Sequence, residues 1–266
     1  MFLTKLNILN YFLSFYNITS FRQVDEEKIN NIFKLFKPIS TNINLIRIGS
    51  KYDGGYLVPN ILHKVKYCFS PGVGKNSSFE KGLEEYNIKS FLADNSVNRP
   101  NENLTNFQFD KKNIHAFNKK NKINVNKWIY SKIKKKELKK SIMQIDVDGF
   151  EYEIIFAMDE KILSNLKFLI IEFHNLEIIG NENFYFIVHS TLEKLRTYHT
   201  PIHLHPNNCN GLHKINKFKV PSVLEVTFLN NKLIKNKKKI KALPHAFDMK
   251  NVEKKKDIIL DSYWYK

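Results

Sequence analysis

The stretch KYCFSPGVGKNSSFEKGLEEYNIKSFLAD, residues 66–94, holds in order an apolar strand, a glycine turn, an amphipathic helix, a second strand and an acid. Tyr67, Cys68 and Phe69 form the apolar run, and Pro71, Gly72, Val73 and Gly74 break it with turn chemistry. Ser77 with Glu80 three residues on has the spacing of a capping box, and Phe79, Leu83 and Tyr86 recur at helical spacing. The strand predicted over residues 88–93 ends at Asp94, about twenty residues past the glycines, where a carboxylate can accept hydrogen bonds from a ribose diol. Such an order of parts predicts a βαβ half that holds the adenosine end of a cofactor in a parallel α/β sheet.

The glycines read GxG with no third glycine. A tight turn also explains that pair, and Asp94 alone is an ordinary strand-end acid; the turn, helix start and acid in sequence carry the cofactor reading. A missing third glycine argues against a pyrophosphate packed on the helix terminus, and so against NAD or FAD. S-adenosylmethionine, which has no phosphate, suits the turn better.

At 266 residues the chain is long enough for one sizeable core, and a single decorated α/β domain is expected. The net charge is +17, with lysines concentrated in residues 132–140 and 232–256. Such runs form solvated faces or attract an anionic substrate or the inner membrane surface, although a chain rich in Lys, Asn and Ile also reflects codon bias. Phe247 alone interleaves with these lysines, too few aromatics for a stacking platform, which disfavours a nucleic-acid partner. Cys68 and Cys209, far apart, suggest reduced thiols and a cytoplasmic location. The opening MFLTKLNILNYFLSFYNITSF is broken by Asn7, Asn10 and Asn17 and lacks a cleavage site, so it reads as neither signal peptide nor membrane span. It is expected to form an amphipathic helix that packs on the domain or a second subunit, or contacts a membrane surface.

Residues 24–36 form a second apolar-periodic segment, and the α/β pattern begins after Pro38. Beyond Asp94 a polar, irregular stretch holds Phe107, Phe109, Ile114 and Phe117, predicted to supply a short third strand and its flanks. A helix follows over 125–133, a strand over 141–147, a helix over 151–158, a strand over 168–173 and a long helix over 183–198. Strands are predicted over 199–204 and 222–229, separated by a loop with Asn207, Asn208 and Gly211. In the basic tail, Ile259, Leu260, Tyr263 and Trp264 have the character to dock back. The expected organisation is a helical extension (1–39), a Rossmann-like domain (40–230) and a basic tail (231–266).

Chemistry in an open parallel sheet gathers at the carboxyl ends of its strands. Polar pairs stand there three times: Asp146 and Asp148, Glu172 and His174, and His203 and His205. The i, i+2 spacing puts both members on one face of extended backbone. Each pair has an ordinary alternative, such as an Asx turn at Asp148 or a helix cap at Glu151. Yet Glu172 follows four apolar residues, and the three pairs together point to proton transfer or to a divalent ion. Carboxylates with imidazole suit Mg2+ or Mn2+ better than zinc. His63, His115, His189, His199, His213 and His245 lack such partners in sequence. Upstream, Asp53, Gly54 and Gly55 signal a turn into a short strand at 56–58.

From Arg47 to about Leu229 the chain resembles the FkbM-type family of S-adenosylmethionine-dependent methyltransferases. The resemblance rests on IGSKYDGGYLVP, FSPGVGKNSSFE with Asp94 downstream, QIDVDGFEYEII, IIEFH, and HLHPNN followed by VPSVLEVTF. It implies a Rossmann-like, seven-stranded, mostly parallel sheet of the class I methyltransferase type and methyl transfer to oxygen, commonly on a sugar of capsule or other surface polysaccharide. The implied cofactor-binding residues are Asp53, Gly54, Gly55, Gly72, Gly74, Ser78 and Asp94, although Ser-Pro stands before the first glycine where many relatives have a small residue. Asp146, His174 and His205 are the expected catalytic residues, and Asp146, Glu172 and His174 the expected metal ligands. A nucleotide-sugar acceptor would use the positive surface, and a homodimer is a further expectation. A non-sugar acceptor, or a non-catalytic scaffold with the same sheet, are the alternatives.

Overall fold

The computed structural model describes residues 5–266. Helices α1 (Lys5–Ser14) and α2 (Glu26–Phe36) precede the short β1 (Ile39–Ser40) and a hairpin of β2 (Leu45–Gly49) and β3 (Gly55–Pro59). Then come β4 (Tyr67–Pro71), α3 (Ser78–Glu84), β5 (Lys89–Ala93) and β6 (Phe107–Asp110). A small parallel pair, β7 (Asn113–His115) and β8 (Lys122–Asn124), leads to α4 (Val125–Lys132) and β9 (Ser141–Ile145). After α5 (Glu151–Ala157) and α6 (Glu160–Leu163) follow β10 (Phe168–Phe173), α7 (Glu182–Tyr198) and β11 (His199–Pro206). A hairpin of β12 (Leu212–Ile215) and β13 (Phe218–Pro221), then β14 (Leu224–Asn230) and β15 (Lys238–Lys239), complete the chain.

Seven strands form the central sheet in the order β11-β14-β10-β9-β4-β5-β6. All run parallel except β14, which is antiparallel to both its neighbours. The predicted α/β class with a mostly parallel, Rossmann-like sheet is therefore present. Its central strands are buried along their whole length, as SIMQI and FLIIEF are, because helices or the hairpin cover both faces. The chain starts in the middle at β4, steps outward through β5 and β6, then returns to β9 on the other side. This reversal opens a crevice outside the carboxyl ends of β4 and β9.

Several local readings change. Ser77 and Glu80 form no capping box: the Ser77 hydroxyl and amide bond to Glu102, and Glu80 is buried against Ser70. A helix of seven residues has its first turn tied by a distant acid instead. The third strand, β6, holds Phe107 and Phe109 as expected, and Ile114 on its flank lies in the separate β7. The loop expected after Asn208 contains the β12–β13 hairpin. Nor does the first helix pack on the domain: α1 buries none of its residues, whereas Ile29, Ile32, Phe33 and Phe36 of α2 lie in the main core. Trp264 and Leu260 dock into that core, while Ile259 stays exposed.

Candidate functional site

At the crevice lies a cavity of about 470 Å³, within the usual size of a small-molecule site. Its wall includes the Gly72–Gly74 turn, Asp53 and Gly54 from the β2–β3 loop, Tyr56, Glu80, Asp94, Gln144, Asp146 and Asp148. Gly72 has φ +82°, and any Cβ there would collide with the Asp146 carbonyl, while the Asp146 amide donates to Pro71 O at 3.2 Å. The turn thus packs flush on the end of β9, joining the two sides of the crevice.

Asp94 is held by the same turn. Its Oδ2 accepts from Gly74 N at 2.8 Å, and its Oδ1 accepts from Ser96 N and Oγ, both at 2.6 Å. A carboxylate has about four acceptor positions, so these three bonds fix its orientation and leave capacity for a ligand donor. Ser78 and Gly55 lie outside the cavity wall and act one layer back. The Ser78 hydroxyl accepts from Ser50 N at 3.2 Å and donates to Gly54 O at 3.0 Å, tying the hairpin loop to α3. Gly55 makes room for Arg47, whose guanidinium donates to the carbonyls of Ser50 and Tyr52, both at 3.0 Å.

Beside the cavity, His174 Nε2 lies 3.7 Å from Asp146 Oδ1, 3.8 Å from Asp148 Oδ1 and 3.9 Å from Glu172 Oε1. Asp148 adopts φ +49° ahead of Gly149 at +100°, and its side chain is 99 % exposed. The bend is braced by Glu151, which is no helix cap: fully buried, it accepts from Gly149 N at 2.9 Å and His174 N at 2.7 Å. Burial pushes the Asp146 carboxyl up to about 7; nearby His174 opposes the shift, and Asp148, Asp53 and Glu225 add to it. Burial also raises Glu172, reinforced by Asp146 and Glu225. For His174 burial acts downward, but Glu151, Asp146 and Asp148 outweigh it and raise its pKa.

Asp146, Asp148 and His174 offer ligand atoms that all lie within 4.8 Å of one another. Two carboxylates and an imidazole match the donor preference of Mg2+ or Mn2+, although exposed acids also cluster without an ion. The expected set contained Glu172 in place of Asp148. Glu172 Oε1 instead accepts from Asn207 Nδ2 at 2.9 Å, and Asp148 reaches the group only because its left-handed backbone folds the turn back.

His205 does not join this group. Glu172, Glu225 and His205 are aligned across β10, β14 and β11, so a whole strand separates His205 from Glu172. That is roughly 10 Å at the usual strand spacing. Its Nε2 sits 3.2 Å from Asn251 Oδ1, and burial pushes its pKa down. His203 Nε2 lies 2.9 Å from Asp248 Oδ1, so the third polar strand end serves to hold the C-terminal segment. Asn251 then donates to Glu225 Oε1 at 2.6 Å and to Asp53 Oδ1 at 3.4 Å, linking that segment to the cavity wall. Asp248 and Asn251 lie in a segment with no periodicity to read. Glu225 and Gln144 did carry a signal, as polar residues with apolar neighbours on both sides in buried strands. His115, without a sequence partner, lines the cavity beside Lys122, whose Nζ is 2.7 Å from its Nε2, and pairs with Glu153.

Compared with models of protein families and with curated proteins, the chain matches none.

Proposed function

We propose that this chain is an S-adenosylmethionine-dependent O-methyltransferase of the FkbM type, acting on a sugar hydroxyl of a nucleotide-activated sugar for capsule or another surface polysaccharide. The observation that carries the reading is the cavity at the strand-order reversal, whose wall joins the Gly72–Gly74 turn and Asp94 to Asp146. Seven strands with a single reversed one suit the seven-stranded, mostly parallel sheet that the resemblance implies. The wall is acidic, with Asp53, Glu80, Asp94, Asp146 and Asp148 against Lys75 and Lys122, which favours a cationic ligand over a pyrophosphate.

When bound, the cofactor supplies a methyl group already activated on a sulfonium. The chain's own task is to orient and to manage one proton. Asp94 would accept from the ribose diol, and the glycine turn would let backbone approach the methionine part. Without an ion, His174, its ring beside Asp146 and Asp148, would take the proton of the acceptor hydroxyl. The products are a methyl ether, S-adenosylhomocysteine and a proton. Asp146, Asp148 and His174 are also the residues that would hold Mg2+ or Mn2+, which would supply Lewis acidity and lower the hydroxyl's pKa.

A panel of nucleotide sugars incubated with the protein and S-adenosylmethionine, read by mass spectrometry, tests the reading through the gain of one methyl group. Absence of cofactor binding by calorimetry would favour a scaffold instead. We also propose a cytoplasmic protein that touches the inner membrane surface. Both cysteines are free, no helix among the described residues is long and apolar enough to cross a membrane, and α1 exposes Ile8, Leu9, Tyr11 and Phe12 on a chain of net charge +17. Co-sedimentation with anionic but not zwitterionic vesicles is the expected outcome.

A further inference from the structure

Glu80 is a charged residue type in a place that offers it no counter-charge. It is 2 % exposed, lines the cavity from the first turn of α3, and makes no ion pair among the described residues. Its Oε1 meets the Ser70 hydroxyl; Ser70 Oγ lies 2.7 Å from Gln144 Oε1, and Gln144 Nε2 lies 3.3 Å from the Tyr56 hydroxyl. These partners are all neutral. The titratable groups around it are the Cys68 thiol on β4, Tyr56 on β3 and Glu102 from the loop before β6. Asp53, Asp94, Asp146, Asp148, His115, Lys122 and Lys75 share the cavity wall, and Lys81 on its own helix is engaged by Glu84 at 2.7 Å. Burial pushes Glu80 up to about 7, Ser70 opposing the shift and Glu102 adding to it. A purely structural role in this chain of neutral bonds would be filled by glutamine.

We propose that Glu80 is a cofactor-binding residue that rests as a neutral carboxylic acid and ionises when a cationic ligand enters the cavity, so that binding expels one proton to solvent. The O–H bond of the carboxyl breaks, the proton goes to buffer, and the carboxylate left behind faces the positive group of the ligand. The inference rests on the methyltransferase reading for the identity of that ligand, S-adenosylmethionine, whose sulfonium and ammonium are both cationic.

The test is calorimetric titration of the full chain with S-adenosylmethionine in buffers of different ionisation enthalpy, for the wild type and Glu80→Gln. The wild type is expected to release more protons than Glu80→Gln by about 0.8 per ligand at pH 6.5 and about 0.1 at pH 8. Wild-type affinity should tighten at least tenfold from pH 6 to pH 8, with the similarly raised Asp146 of the same wall adding to Glu80, and the profile of Glu80→Gln should be shallower by about tenfold. Equal proton release by both proteins, or a flat affinity profile, overturns the role of Glu80 while leaving the cofactor reading intact. No binding by the wild type overturns both.

Discussion

Replacing Asp248 with alanine should release the C-terminal segment from the sheet. The Asp248 side chain is 3 % exposed; it lies 2.9 Å from His203 Nε2 and accepts from the His245 amide at 2.7 Å. Alanine leaves the buried His203 nitrogen and the half-buried amide without an acceptor, at about 1–3 kcal/mol each. A loss of about 3 kcal/mol at neutral pH is therefore expected. Burial by itself would raise the Asp248 pKa, but His203 and His205 outweigh it and hold the group below the ordinary carboxylate range. A depressed folded-state pKa contributes stability above the unfolded value, lost as pH falls through the folded one. The difference between wild type and variant should therefore shrink on acidification below about pH 4. Urea unfolding of Asp248→Ala, His203→Ala and the double variant measures the coupling, and trypsin cleavage after Lys250 or Lys254 reports release of the segment. A loss below about 1 kcal/mol with an unchanged cleavage pattern would refute the reasoning. Asn251, three residues on, bonds Asp53 in the cavity wall, so the same variant should weaken cofactor binding without touching the cavity.

Three further outcomes are expected. Trp264→Ala empties a fully buried site whose ring centroid lies 4.5 Å from that of Phe33, and should cost about 3–5 kcal/mol in urea unfolding; a loss under 1 kcal/mol would mean the C-terminus is not part of the core. Glu80 has a folded pKa of about 7 against an ordinary 4.5, so its contribution is fully present below pH 4.5 and is lost as pH rises through 7. Across that window wild type should lose about 3 kcal/mol relative to Glu80→Gln, and parallel stability curves would contradict it. Stripping with EDTA should abolish turnover and Mn2+ or Mg2+ restore it, with Asp148→Asn weakening Mn2+ binding at least tenfold in a fluorescence or paramagnetic titration; full activity after rigorous chelation removes the ion from the mechanism.

The β4–α3–β5 unit was legible because its signals are local. Alternation of apolar run, glycine turn and helix period follows from backbone sterics and from burying one face, and Asp94 falls where that geometry ends a strand. The strands β9, β10 and β14 were equally plain, since strands buried on both faces read as continuous apolar runs. What the chain order could not supply was which strand ends meet. Parallel pairing set by crossover connections brings Asp146 against Gly72 and His174 toward Asp148, whereas the antiparallel β14 wedges between β10 and β11 and carries His205 away with the tail. Glu80 likewise has capping-box spacing in sequence, but a buried hydroxyl on the neighbouring strand competes for its carboxyl and wins. Contacts within about four residues are written in local order, while the partner of a polar side chain is decided by the sheet order that folds distant segments together.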